Sequence, residues 1–135
     1  MPTISTKRHT LAYAAALISM TLSSSVMAAS ADYRFELDGP PTKSGKTTIQ
    51  KVRLVHIPTG KAVPNAEIVE TTFDMGPDGM AGMKAPAMPA AQSDPGFHVI
   101  ELQPSMAGNW GLSLAAKVPG EPETIRSTLT VVVPK

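Results

Sequence analysis

Thirteen prolines and ten glycines punctuate the chain, all but Pro2 beyond residue 38, at intervals that interrupt helices before they can be built. What lies between them is a set of short runs alternating apolar and polar residues, the mark of strands with one buried face. Tyr33-Arg34-Phe35-Glu36-Leu37 is the first, and Gly39-Pro40-Pro41 is expected to stop it. Residues 47–57 form a second, with Val52 and Leu54 on one face and Lys51 and Arg53 on the other. Pro58-Thr59-Gly60-Lys61 is a turn, and residues 66–73 are a third strand with Val69, Thr71 and Phe73 on one side. Residues 74–96 lack alternation and read as a long loop or a broken edge strand. Strand character returns at residues 97–102. Trp110, Leu112, Leu114, Ala116 and Val118 then repeat at period two, as do Leu129, Val131 and Val133 after Ile125. The expectation is an all-β domain, an immunoglobulin-like β-sandwich of six to seven strands.

The first residues carry a different signal. Lys7, Arg8 and His9 precede an apolar stretch, and Val26-Met27-Ala28 places small residues at the −3 and −1 positions of a cleavage site. Residues 1–28 are therefore read as a cleaved signal peptide and residues 29–135 as the mature domain, with Ala31 closing a second possible site. About a dozen apolar residues fall short of the ~18–20 that span a bilayer, so no stable membrane insertion is expected after cleavage. The expected compartment is the periplasm.

Cleavage removes Lys7 and Arg8, leaving ten Lys and Arg against eleven Asp and Glu, a balance of −1. A near-neutral chain with scattered basic residues makes no case for nucleic acid. Cysteine is absent, so thiolate metal sites, disulfides and cysteine nucleophiles are excluded. Stability must come from a packed core. The serines have no nucleophile-elbow context, and His56 and His98 have no acid nearby that would complete a triad. Asp74-Met75-Gly76-Pro77-Asp78 lacks the ligand density of a calcium loop, and no phosphate-binding glycine loop is present. The chain is read as a binding protein and not an enzyme.

Methionine is the feature that asks for chemistry. Met75, Met80, Met83 and Met88 all fall in FDMGPDGMAGMKAPAM, residues 73–88, among Gly, Pro and Ala and away from the aliphatic strands. A thioether is a soft, uncharged ligand that needs no deprotonation, and soft ligands select Cu(I). Gly76, Gly79 and Gly82 would let the segment curl so that sulfurs converge. The residues alone also admit a loop whose methionines are tolerated or tucked against the sandwich, and an adaptable surface for protein partners. His98, on one face with Ile100 and Leu102, and Met106, in the turn before Trp110, are candidates to complete a copper site. His56 reads as a strand-end residue bonded to its turn, and Trp110 as core.

The run His56-Ile57-Pro58-Thr59-Gly60-Lys61-Ala62-Val63-Pro64-Asn65-Ala66, the methionine segment, Pro95-Gly96-Phe97 and Met106-Ala107-Gly108-Asn109-Trp110 together resemble the YtkA-like/FixH-like exported domain, over residues 47–133. The resemblance implies an immunoglobulin-like sandwich associated with copper handling, beside copper efflux systems or cytochrome oxidase assembly. FixH is membrane-anchored, and a cleaved chain departs from that pattern. The expected function is a periplasmic copper-binding protein, a chaperone or accessory to copper efflux or tolerance. Cu(I) would draw its ligands from Met75, Met80, Met83 and Met88, with His98 and Met106 completing the set. The other expectation is a metal-free interaction module assisting an exported assembly such as oxidase maturation.

Overall fold

A computed structural model describes residues 31–91 and 96–135. The expected signal peptide, residues 1–28, lies outside the described residues. The domain is all-β. Its strands are β1 (Tyr33–Ser44), β2 (Thr47–His56), β3 (Lys61–Ala62), β4 (Glu67–Met75), β5 (Met80–Lys84), β6 (Ala87–Ala90), β7 (His98–Leu102), β8 (Gly108–Lys117) and β9 (Thr124–Val133). They form two antiparallel sheets, one in the order β1-β2-β7-β6 with β3 added to β2, the other in the order β5-β4-β8-β9. No helix among the described residues is long and apolar enough to cross a membrane.

The alternation seen in the sequence places the core. Val52, Leu54, Ile100 and Leu102 from the first sheet meet Phe73, Trp110, Leu112, Leu114, Ala116, Ile125 and Val131 from the second, all buried. Phe73 stacks on Trp110 with ring centroids 4.7 Å apart. Burying these large side chains at roughly 1.5–3 kcal/mol each is what a cysteine-free chain has to offset its conformational entropy.

Three local expectations are corrected. Gly39-Pro40-Pro41 does not end the first strand, because β1 continues to Ser44 through a bulge in which the register jumps from Asp38↔Lys51 to Thr42↔Ile49. Prolines are tolerated there because a bulge at a sheet edge asks little of their missing N–H groups. The fully buried Gln50 Nε2 fills the gap, donating to the Gly39 and Lys51 carbonyls. Val69 does not share the side of Phe73. A second bulge between Ile68 and Glu70 turns it outward, to 44 % exposure. Finally, much of residues 74–96 is strand. β5 extends the second sheet and β6 the first, so the chain changes sheets between Lys84 and Ala87. The crossing is held by Ala85 N–H donating to the Phe73 carbonyl and by Thr71 Oγ1 donating to the Ala87 carbonyl.

Candidate functional site

The methionine segment is built on the end of β4. Phe73 and Met75 are two residues apart on one strand, so both face inward, and Met75 is only 1 % exposed. Gly76–Asp78 then makes a single 3-10 turn, and Gly79 closes it with φ of 76°, a left-handed geometry that favours glycine. Gly79 is the glycine at which this curl uses a positive φ; Gly76 and Gly82 do not adopt one. β5 returns antiparallel with Met80 opposite Met75. Lys84 is opposite Asp74, so Ala81, Gly82 and Met83 bulge out between these two register positions.

The turn is fastened to β8. Asp78 accepts two hydrogen bonds from Asn109, from the backbone N–H at 2.8 Å and from Nδ2 at 2.9 Å. These bonds hold the Asp78 carboxyl below its ordinary range, the backbone donor contributing most. Asp74 accepts from the Gly76 N–H at 2.8 Å and stiffens the start of the turn. Two glycines of β8 make room. A Cβ on Gly108 would stand 2.7 Å from Met75 Cε and 2.8 Å from Asp78 Oδ2, and one on Gly111 would touch Pro77. Beneath the fastening, Trp110 Nε1 donates to the Met106 carbonyl at 3.1 Å, which pins the connection from β7 to β8.

This arrangement sorts the six expected ligands. Met75 and Met80 are cross-strand neighbours, and Met83 follows Met80 on the same bulged strand. Met106 lies at this same end of the sandwich, in the connection leading to β8. Met88 does not join them. It pairs with Glu101 and, like it, lies on the outer face of the first sheet, opposite in facing to Ile100 and Leu102. His98 does not join them either. It pairs with Val52, four residues along β7 from Leu102, roughly 13 Å toward the other end of the sandwich.

Exposure divides the methionines again. Met80 is 41 % exposed, Met83 39 %, Met88 55 % and Met106 47 %, whereas Met75 belongs to the core. Met75 was expected in a loop, and its burial follows from β4 running two residues further than expected. His98 shares the face of Ile100 and Leu102, as expected, and is buried with them and bonded to the Val63 backbone. Burial pushes its imidazole pKa below the ordinary value, which keeps the ring neutral. His56 is the turn-bonded residue expected, with Nδ1 2.9 Å from Thr59 Oγ1.

Chemically, the described residues present exposed thioethers and no group of three His, Asp or Glu side chains that could hold a metal ion. A hard, oxygen-ligated cation therefore has no ready site among them, while a soft ion has sulfur in reach of solvent. Gly108, Asn109 and Asp78 set the position of the methionine turn, and reading the chain alone did not identify them. Asp78 and Asn109 are 31 residues apart, and only the Gly-Asn and Asp-Gly turn signals hinted at either.

No curated protein and no solved structure matches the chain. A family model does. It covers residues 27–115, starting earlier than the resemblance read from residues 47–133 and ending inside β8, so that β9 lies beyond it. The match takes in both halves of the Asp78–Asn109 fastening, every exposed methionine of the described residues, and His98. On this coverage the chain belongs to the YtkA-like family.

Proposed function

We propose that this protein is exported to the periplasm and binds Cu(I) through thioethers, as a chaperone or accessory in copper efflux or tolerance. The observation that carries the reading is the segregation of methionine from the other apolar residues. Met80, Met83, Met88 and Met106 are four of the seven large hydrophobic side chains exposed among the described residues, where no Leu, Phe or Trp is exposed. Leaving an apolar side chain exposed forgoes roughly 1.5–3 kcal/mol of burial, and a ligand role requires that exposure. A buried thioether cannot be reached by an incoming ion. Met80 and Met83, close together on one bulged strand, are the natural first pair, with Met106 at the same end as the third ligand.

Export is supported by the basic, apolar and small-residue pattern of residues 1–28. In an oxidising compartment a thioether stays a ligand where paired thiols would be lost to disulfides. The test is a competition titration with a chromophoric Cu(I) chelator under reducing conditions. Uptake of about one Cu(I) per chain is expected, with marked weakening in the Met80→Leu/Met83→Leu double variant. Unchanged affinity in that variant would remove both residues from the site.

A second reading, a metal-free module that docks on an exported assembly, is favoured by a different surface. Leu37, Pro40, Pro41, Val132 and Pro134 line an apolar hollow of about 390 Å³ where β1 meets β9. Retention of a partner in the presence of chelator, lost on Val132→Asp but not on Met80→Leu, would favour it.

A further inference from the structure

We infer that the end of the sandwich carrying Met106 is a docking surface for an acidic segment of a partner protein. A groove of about 340 Å³ opens there between the turn joining β1 to β2, the connection from β7 to β8, and the end of β9. Lys43, Lys46 and Lys135 line it together with Pro104, Met106 and Val133, and no Asp or Glu among the described residues does. The charges in it are uncommitted. Arg34, Arg53 and Arg126 are held in ion pairs with Glu36 and Glu70, whereas these three lysines make none among the described residues.

Of the acids at this end, Asp74 and Asp78 belong to the methionine turn and Glu101 to the outer face of β7, and none of the three lines the groove. Asp74 is occupied by the Gly76 N–H, and Asp78 by Asn109. The opposite end has the reverse character, a hollow lined by Glu67, Glu121 and Glu123 with one lysine, Lys117. The two hollows thus carry opposite charge, and a partner bearing carboxylates is steered to the one that holds Met106. Carboxylates would meet the three ammonium groups, and an apolar side chain would cover Met106 and Pro104. The groove is concave and holds three lysines, fewer than the four to eight that mark anionic-lipid recognition, so a protein segment fits it better than a bilayer.

The surface can be tested without reference to the copper reading, because the measurement is made on the mature protein in chelator. Fluorescence anisotropy with a labelled hexaglutamate peptide should give saturable binding at low salt that weakens as salt rises. Lys43→Glu with Lys46→Glu should weaken it about tenfold or more. Lys61→Glu with Lys117→Glu changes the net charge by the same amount at the other end and should leave affinity within about twofold. All four positions are exposed, and circular dichroism would verify that each variant is folded. Absence of saturable binding, equal weakening by both pairs, or stronger Lys43- and Lys46-dependent binding to phosphatidylglycerol vesicles would each overturn the proposal.

Discussion

The terminal methyl of Met75 occupies the space that a side chain on Gly108 would need, with Met75 Cε 2.7 Å from where that Cβ would stand. Gly108 also has φ of 144°, outside the range that other residues adopt readily. Gly108→Ala is strained in its backbone even where the Met75 methyl and the Asp78 carboxylate move aside, and is expected to cost about 1–3 kcal/mol of stability in urea unfolding. A loss below about 0.5 kcal/mol would mean that β8 is not held against β4 as described.

Met75 is core, and the exposed methionines are not, so truncation should separate them. Met75→Ala is expected to destabilise by about 2–5 kcal/mol, as large-to-small changes in packed interiors do. Met80→Ala and Met88→Ala should stay within about 0.5 kcal/mol of the parent. Equal effects at Met75 and Met88 would contradict the division by burial.

The Asp78 carboxylate fastens the methionine turn to Asn109, and its depressed pKa sets when that fastening fails. Because the folded value lies below the ordinary 3.8, its contribution is present above that pH and is lost as pH falls through the lower, folded value. The Asn109 amide resonance should therefore keep its folded shift through pH 4 and move only in stronger acid. In Asp78→Ala, the methyl signals of Met75 and Met80 should broaden or shift while that of Met88 stays in place. The opposite pattern would detach Asp78 from the site.

His98 supplies a second pH dependence. Its folded pKa is pushed below 6.5 by burial, so the unfolded chain binds the extra proton first as pH drops. Stability should be level above about pH 6.5 and decline below it, and His98→Gln should flatten that decline in chemical unfolding between about pH 5 and 7. A parent profile that is flat over this range would show that the imidazole is not buried neutral.

How much of this was legible in the sequence differs from strand to strand. Trp110 through Val118 could be read directly, because large apolar side chains at every second position over nine residues leave one face to bury. Met75 shares the same period with Phe73 and was legible in principle, but the glycines after it drew it into the neighbouring loop. β5 and β6 were not legible: β5 is exposed along its length, so burial imposes no alternation on it. Val69 was misplaced because a bulge shifts the period by one residue without a sequence marker. The Asp78–Asn109 fastening and the burial of His98 against Val63 depend on residues distant in the chain, which local pattern cannot supply.

X-ray absorption at the copper edge of the Cu(I)-loaded protein tests the central claim most directly. A first shell of sulfur is predicted, with its amplitude falling when Met80, Met83 and Met106 are replaced by leucine and unchanged in Met88→Leu. A shell of nitrogen and oxygen alone, or a sulfur shell indifferent to those three residues, would contradict the account.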